Sequence, residues 1–241
     1  FCSNENDDKK TVELIHLFRD RKVDGYIIIP SAGVKEEIRL LRDSKIPLVL
    51  FDRYFPDLDT NYVIIDNRNA AYKATRHVTE NGFRNIGFVT IDVQQTQMQD
   101  RMKGYLEAIE EKGLQPHMLL LPYRSYKTPE GRKAIAAFFQ QNSGLDAVFF
   151  STNYLTLTGL SVIKENDPEK LRELGIITFD DNDFFSIQTP SISAVAQPLE
   201  AIGTRLMEIM LELLGEKEAP QETHQVILEA TQEVRESTRA R

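Results

Sequence analysis

Only one of the 241 residues, Cys2, is a cysteine. An internal disulfide and a cysteine-rich metal cluster are thereby excluded, and a reducing compartment fits. No uninterrupted apolar stretch approaches the ~20 residues needed to span a bilayer, so membrane insertion is not expected. Basic charge is also short: 29 Lys and Arg stand against 37 Asp and Glu, for a net charge of −8. Attraction to a phosphate backbone depends on Lys and Arg releasing counterions, and this chain is not expected to hold DNA by itself. Enzyme signatures are missing too. There is no Walker-type phosphate loop, dinucleotide glycine fingerprint, nucleophile elbow or His pair at metal-ligand spacing. His16, His77, His117 and His224 have no carboxylate partner suggested by spacing and read as structural or surface residues. No catalytic residue, metal or cofactor is expected. The opening Phe1-Cys2-Ser3-Asn4 carries no initiator Met, basic n-region or apolar h-region, so the natural protein is expected to begin further upstream. Repeats and low-complexity tracts are absent.

What is present is a soluble composition, 41% hydrophobic and 27% charged, in a length that suits one large α/β domain or two lobes of about 100–150 residues each. Five apolar runs each end in polar or charged residues and are followed by helical periodicity. They are Gly25-Tyr26-Ile27-Ile28-Ile29, Pro47-Leu48-Val49-Leu50-Phe51, Ile86-Gly87-Phe88-Val89-Thr90-Ile91, Ala147-Val148-Phe149-Phe150 and Gly175-Ile176-Ile177-Thr178-Phe179. Runs of this kind are strands buried on both faces of a parallel sheet covered by helices. Ligands of such sheets sit beyond the carboxyl ends of the strands, so the polar clusters there are the first candidates for a site. They include Asp52-Arg53, Asp92, Asn153 and Asp180-Asp181.

Helical spacing is read around Val12, Ile15 and Phe18, around Val34, Ile38 and Leu41, and from Asp66-Asn67 through Val78. A helix following Asp100 would turn Met102, Tyr105, Leu106 and Ile109 inward and place Arg101 at its start. The macrodipole disfavours a cation there, which hints at use. Adjacent residues at a strand end point to opposite sides, so of Asp180 and Asp181 only one can face a ligand, and Asp180 is the better acceptor. Asn153, at a strand end, can cap a helix or bond to a hydroxyl-rich ligand, and Tyr126 can stack on a sugar or base face. The chain is expected to pass between lobes near Asp66-Asn67, near Ala196-Gln197-Pro198, and near 222–225, where a closing strand with Val226, Leu228 and Ala230 would return to the second lobe.

These motifs together resemble the effector-binding core of the LacI/GalR family of bacterial transcription regulators. The resemblance runs from Val23-Asp24-Gly25 through Phe51-Asp52-Arg53, Ile65-Asp66-Asn67, Gly82-Phe83-Arg84-Asn85-Ile86, Arg101-Met102-Lys103-Gly104-Tyr105, Phe179-Asp180-Asp181 and Gln197-Pro198 to Val234-Arg235-Glu236-Ser237. It implies a two-lobed type I periplasmic-binding-protein-like α/β fold, each lobe a mainly parallel sheet flanked by helices. The lobes would be 1–66 with 197–222, an incomplete N-terminal lobe, and 67–196 with 223–241. Arg101 matches the family's ligand-gripping arginine, Asp180 its accepting aspartate, Asn153 its strand-end Asn and Tyr126 a stacking aromatic, with Asp52 and Arg53 contributed by the first lobe.

The implied protein is not an enzyme. It is a cytoplasmic homodimeric regulator that takes a small polar effector between its lobes, a sugar or sugar phosphate ahead of a nucleobase. It would contact operator DNA through an N-terminal helix-turn-helix absent from this chain. Two departures from the family stand out: the first strand and helix of the core are missing, and Tyr154 replaces the usual acidic or small residue after Asn153. A periplasmic sugar-binding protein is the alternative of the same fold, and a flavodoxin-like or nucleoside-processing enzyme the alternative of another class. Truncating Arg101 or Asp180 to Ala is expected to abolish effector binding and leave the fold intact.

Overall fold

The computed structural model describes residues 1–91, 94–215 and 222–240. The chain divides into two compact units, one of Phe1–Ile65 with Pro198–Leu228, the other of Asp66–Gln197 with Glu229–Arg241. The mixed α/β architecture with helix-flanked parallel sheets agrees with the sequence pattern.

The first unit holds α1 (Asp8–Asp20), β1 (Tyr26–Ile28), α2 (Lys35–Asp43), β2 (Leu48–Phe51), β3 (Asn61–Ile65), a long helix at 199–215 and a strand at 225–228. The four strands form a fully parallel sheet in which β1 is an edge, β2 and β3 follow, and the 225–228 strand lies outside β3. Alternation sorts its side chains between two faces. Tyr26, Leu48, Leu50, Tyr62 and Ile64 meet Ile15 of α1 and Ile38 and Leu41 of α2 in one core. On the opposite face the 199–215 helix packs against β2 and β3. Ile27, of β1, and Ile29 just beyond it stay about two-fifths exposed. Leu199, Met207, Leu211 and Leu214 of the same helix are exposed as well. A parallel sheet is ordinarily covered on both faces, so this first unit carries an apolar face of the kind that another element or a partner covers.

In the second unit come α3 (Asn67–Glu80), β4 (Ile86–Ile91), α4 (Thr96–Glu111), β5 (His117–Leu121), α5 (Pro129–Gln141), β6 (Ala147–Phe150), α6 (Asn153–Asn166), α7 (Lys170–Glu173), β7 (Gly175–Phe179), α8 (Asp183–Ile187) and β8 (Ser193–Ala196). The helix of the first unit is then α9 (Leu199–Gly215) and its strand β9 (Gln225–Leu228), after which β10 (Thr231–Glu233) rejoins the second unit. The six-stranded sheet runs β10-β8-β7-β6-β4-β5, parallel except where β10 meets β8. One face packs Ile135 and Phe138 of α5 and Leu155 and Ile163 of α6. The other packs Ala70, Ala74 and Val78 of α3 and Tyr105 and Ile109 of α4. The Tyr105 hydroxyl donates to the Ile86 carbonyl at 2.8 Å, and burial pushes its pKa up to about 12.

The closing strand departs from the sequence reading. Gln225–Leu228 does not return to the second unit but pairs in parallel with Tyr62–Ile65, and the Tyr62 N–H donates to the His224 carbonyl at 2.8 Å. The third passage therefore falls between Leu228 and Glu229, later than the 222–225 expected, and Ala230 lies outside the strand. The other passages follow Ile65 and Gln197, each within a residue or two of the expected boundary. The half-exposed β5, His117–Leu121, and the small-residue strand β8, Ser193–Ala196, escaped the sequence reading.

Two histidines acquire acidic neighbours across elements, His16 to Glu37 at 3.3 Å and His224 to Glu212 at 3.5 Å, which sequence spacing could not show. His77 on α3 pins the C-terminal turn, its Nε2 lying 2.9 Å from Thr238 Oγ1, and Thr238 in turn meets Ser193 Oγ at 2.6 Å. Burial lowers the His77 pKa, only partly offset by Glu80. A group depressed in the folded state contributes stability above its unfolded pKa of about 6.5 and loses it as pH falls through the folded value. Urea midpoints should thus drop between pH 7.5 and pH 5.5. In His77→Gln part of that drop should vanish.

Candidate functional site

The strand order of the second sheet reverses between β6 and β4, because the chain leaves β4 for β5 on one side and returns to β6 on the other. Such a reversal opens a crevice at the carboxyl ends of the strands. Thr90, Ser151 and Thr178 form a buried polar layer there. Ser151 Oγ donates to Thr90 Oγ1 at 2.9 Å, and Thr156 of α6 donates to Thr178 Oγ1 at 2.6 Å. Asp92, the expected polar end of β4, lies outside the described residues.

Arg101 lies over this layer. It is not the first residue of its helix: α4 begins at Thr96, so Arg101 sits in the second turn and its side chain is only 2% exposed. Nε donates to Asn67 Oδ1 at 2.8 Å and Nη1 to the Ser151 carbonyl at 2.7 Å. The guanidinium carbon lies 3.5 Å from the centroid of the Phe179 ring, within cation–π range. What admits α4 this close to α3 is Gly104. A Cβ there would stand 2.1 Å from the Arg68 carbonyl oxygen and 2.7 Å from the Tyr72 nitrogen, both backbone atoms of α3.

Asp180 follows β7 with φ of +69°, a left-handed conformation that Asp adopts more readily than most residues. Its N–H donates to the Val195 carbonyl at 2.9 Å, while Oδ1 accepts from Gln197 Nε2 at 2.5 Å. Oδ2 lies 3.5 Å from Arg101 Nη1 with the side chain 25% exposed. Asp181 turns elsewhere, taking two hydrogen bonds from Arg235 at 2.8 and 2.6 Å. Burial acts to raise its carboxyl, but those bonds and one from the Asn182 N–H outweigh it and hold the pKa below the usual range. The following helix α8 is capped by Asn182, not by either aspartate.

The N-cap of α6 is Thr152, whose Oγ1 accepts from the Leu155 N–H at 3.3 Å. Asn153 is therefore released from capping and stands as the first helical residue, its buried Oδ1 without a hydrogen-bond partner among the described residues. Next to it, Tyr154 is exposed and its ring centroid lies 6.3 Å from that of Tyr126. Lys127 Nζ stands 5.6 Å from the Tyr126 centroid and 5.7 Å from the Tyr154 centroid. The tight turn Ser125–Lys127 rests on α5 at Gly131, where a Cβ would stand 2.0 Å from the Ser125 carbonyl oxygen. Arg101, Asp180, Asn153 and Tyr126 thus all belong to the second unit, the first two 3.5 Å apart. Sequence reasoning gave Asn67 only a capping role and assigned none to Phe179, Ser151, Lys127 or the Gln197 side chain.

Asp52 and Arg53 belong to the first unit. Asp52 repeats the geometry of Asp180: it follows a phenylalanine at a strand end, has φ of +65°, and donates its N–H to the neighbouring strand at Val63 O, 3.2 Å away. Arg53 Nε lies 3.4 Å from Asp52 Oδ2, and Nη1 donates to Asn6 Oδ1 and, at 3.4 Å, to the Pro30 carbonyl.

The periplasmic binding protein-like domain matches residues 75–238 of this sequence. The chain belongs to that family. Within it the chain corresponds to the effector-binding core of LacI/GalR regulators, as its curated relatives indicate. It is 27% identical over 238 residues to the HTH-type transcriptional regulator RegA of Clostridium saccharobutylicum, covering 98% of this chain and 71% of that protein. To the HTH-type transcriptional repressor PurR of Aliivibrio salmonicida it is 25% identical, covering 90% of this chain and 65% of the repressor. Among solved structures, a LacI family regulator from Enterococcus faecium with bound ribose superimposes with a TM-score of 0.81 at 23% identity. That match covers 95% of this chain and 84% of the other, and is a likeness of fold. Among the described residues no helix is long and apolar enough to cross a membrane, and no group of acidic, His or Cys side chains could hold a metal ion.

Proposed function

We propose that this chain is the effector-sensing part of a LacI-type transcriptional regulator and takes a small hydroxyl-rich ligand, a sugar, at Arg101 and Asp180. The observation that carries this reading is the open ionic pair: a buried guanidinium and a carboxylate 3.5 Å apart, at the crevice of a parallel sheet. Arg101 Nη2 makes no hydrogen bond to a described residue, while Asp180 Oδ2 can accept more than it receives. One donor fork and one acceptor edge suit adjacent hydroxyls, to which a guanidinium donates and from which a carboxylate accepts. Asn153 Oδ1 offers a further acceptor, and the Tyr126 face suits the C–H side of a sugar ring. Bound ribose in the Enterococcus faecium regulator supports the same ligand class.

In this reading the chain is not an enzyme, and it acts in the cytoplasm as part of a homodimer. DNA is held by a helix-turn-helix domain outside this sequence, because a net charge of −8 works against phosphate contact. A ligand alters operator affinity only through its differential affinity for two states, typically ~1–3 kcal/mol of coupling. The test is a thermal-shift panel of pentoses, hexoses, disaccharides, their phosphates and nucleobases. A ligand at about 100 times its dissociation constant stabilises by ~2.7 kcal/mol, which for a chain of this size raises the melting temperature by roughly 5–10 °C. The expected hit is a sugar whose shift disappears in Asp180→Asn. A shift that survives in that variant places the ligand elsewhere, and a shift from nucleobases alone replaces the sugar reading.

A further inference from the structure

Two uncharged side chains hold the ionic pair, and each stands where the chain passes between the units. Asn67 is the second residue after the passage at Ile65/Asp66, and its Oδ1 accepts from Arg101 Nε at 2.8 Å. Gln197 is the last residue before the passage at Gln197/Pro198, and its Nε2 donates to Asp180 Oδ1 at 2.5 Å. The charges themselves come no closer than 3.5 Å, whereas a direct charge-assisted N–H···O bond is about 2.7–2.9 Å long. Arg101 is almost wholly buried, and in such surroundings attraction between opposite charges is weakly screened and favours closure onto a bidentate pair. Something must oppose that closure. Ser151, Asn67 and the Phe179 ring fix the guanidinium on one side, and Gln197 draws the carboxylate away on the other.

We infer that Asn67 and Gln197 are positioning residues that keep Arg101 and Asp180 open for a ligand and tie occupancy of the pair to two of the passages between units. This rests on the reading of the pair as the ligand site. A pair collapsed on itself would have to be broken by each incoming ligand, whereas a pair held open is preorganised. A ligand that draws on Asp180 also pulls on Gln197, whose next residue, Pro198, belongs to the first unit. A ligand that draws on Arg101 pulls on Asn67, next to Asp66, whose carboxylate caps α3 by accepting from the Asn69 N–H at 3.1 Å.

Ligand-free protein decides the matter. Gln197→Met keeps the length of the side chain and removes the donor, and in its crystal structure the Arg101–Asp180 separation should shorten from 3.5 Å to below about 3 Å. Gln197→Leu serves as a second variant if Met packs poorly. In hydrogen exchange, amides of 195–197 in Gln197→Met and of 66–69 in Asn67→Leu should exchange at least about tenfold faster, with those of β4 and β6 unchanged. A separation that stays at 3.5 Å in both Gln197 variants, or unchanged exchange at the passages, overturns the inference. Titration with D-ribose and the other panel sugars separates this failure from that of the ligand reading. Sugar binding at parental affinity in Gln197→Met and Asn67→Leu removes the positioning role and leaves the site. Undiminished sugar binding in Asp180→Asn removes the site.

Discussion

Arg101→Met should abolish sugar binding and also lower the melting temperature by roughly 5–15 °C, corresponding to about 2–4 kcal/mol. Methionine fills much of the arginine stem but supplies none of its donors. The Ser151 carbonyl loses its hydrogen bond, Asp180 loses its cation and the Phe179 face loses the guanidinium. Sequence alone led to the expectation that truncation here leaves the fold intact; the burial of Arg101, a core residue in all but its free edge, argues for a stability cost instead. Asp180 differs: a quarter of its side chain is exposed and Gln197 also holds it, so Asp180→Asn should lose binding with a stability change within about 1 kcal/mol. Calorimetric titration with scanning calorimetry on both variants checks the contrast. Equal stability losses would refute it.

Gly104→Ala should also be damaging although it adds one methyl group. The methyl would meet the Arg68 carbonyl oxygen at 2.1 Å and the Tyr72 nitrogen at 2.7 Å, so α3 and α4 must move apart along an interface lined by Ala70, Ala71 and Ala74. Overpacking of this kind costs typically 1–3 kcal/mol and more where backbone must yield, against a propensity gain of about 1 kcal/mol for replacing a helical glycine. A net loss of about 2 kcal/mol and a melting temperature lower by roughly 4–8 °C are expected. Arg101 and Asn67 ride on the two helices being separated, so sugar affinity should fall as well. Stability and affinity at parental values in Gly104→Ala would show that the helices separate without consequence.

The sheets were legible where both faces are buried. Runs such as Ile86–Ile91 and Gly175–Phe179 leave little alternative to a covered parallel strand, and Asp180 after the second pointed to the carboxyl-end side of the sheet. Half-exposed β5 and short β8 lack that signature. The destination of β9 was not legible either, because alternation in Gln225–Leu228 shows a half-covered strand but not its partner, and pairing with β3 joins residues some 160 positions apart. In the candidate site, a strand end pointed to Asp180, and a helix start expected after Asp100 pointed to Arg101. Nothing local gave the depth of Arg101 or its hold on Asn67, which follow from the α3–α4 approach. Thr152 as the cap of α6 was available in principle, since threonine is among the preferred caps though ranked below asparagine, and its choice frees Asn153.

The left-handed turn at Phe51-Asp52 and again at Phe179-Asp180 governs which replacements selection can sample. A backbone near φ of +65° to +69° admits Asn or Gly with little strain and costs other side chains roughly 1–2 kcal/mol. At Asp52 the backbone leaves those two alternatives open, at the loss of the carboxylate 3.4 Å from Arg53 Nε. At Asp180 both sacrifice the carboxylate facing Arg101, and Glu, which keeps it, meets the backbone penalty and a longer reach. The position is therefore locked twice, by chemistry and by conformation. A lineage adapting to a new ligand would hold Asp180 constant and diversify at Tyr126, Lys127 and Tyr154, whose ordinary helical backbones accept most residues.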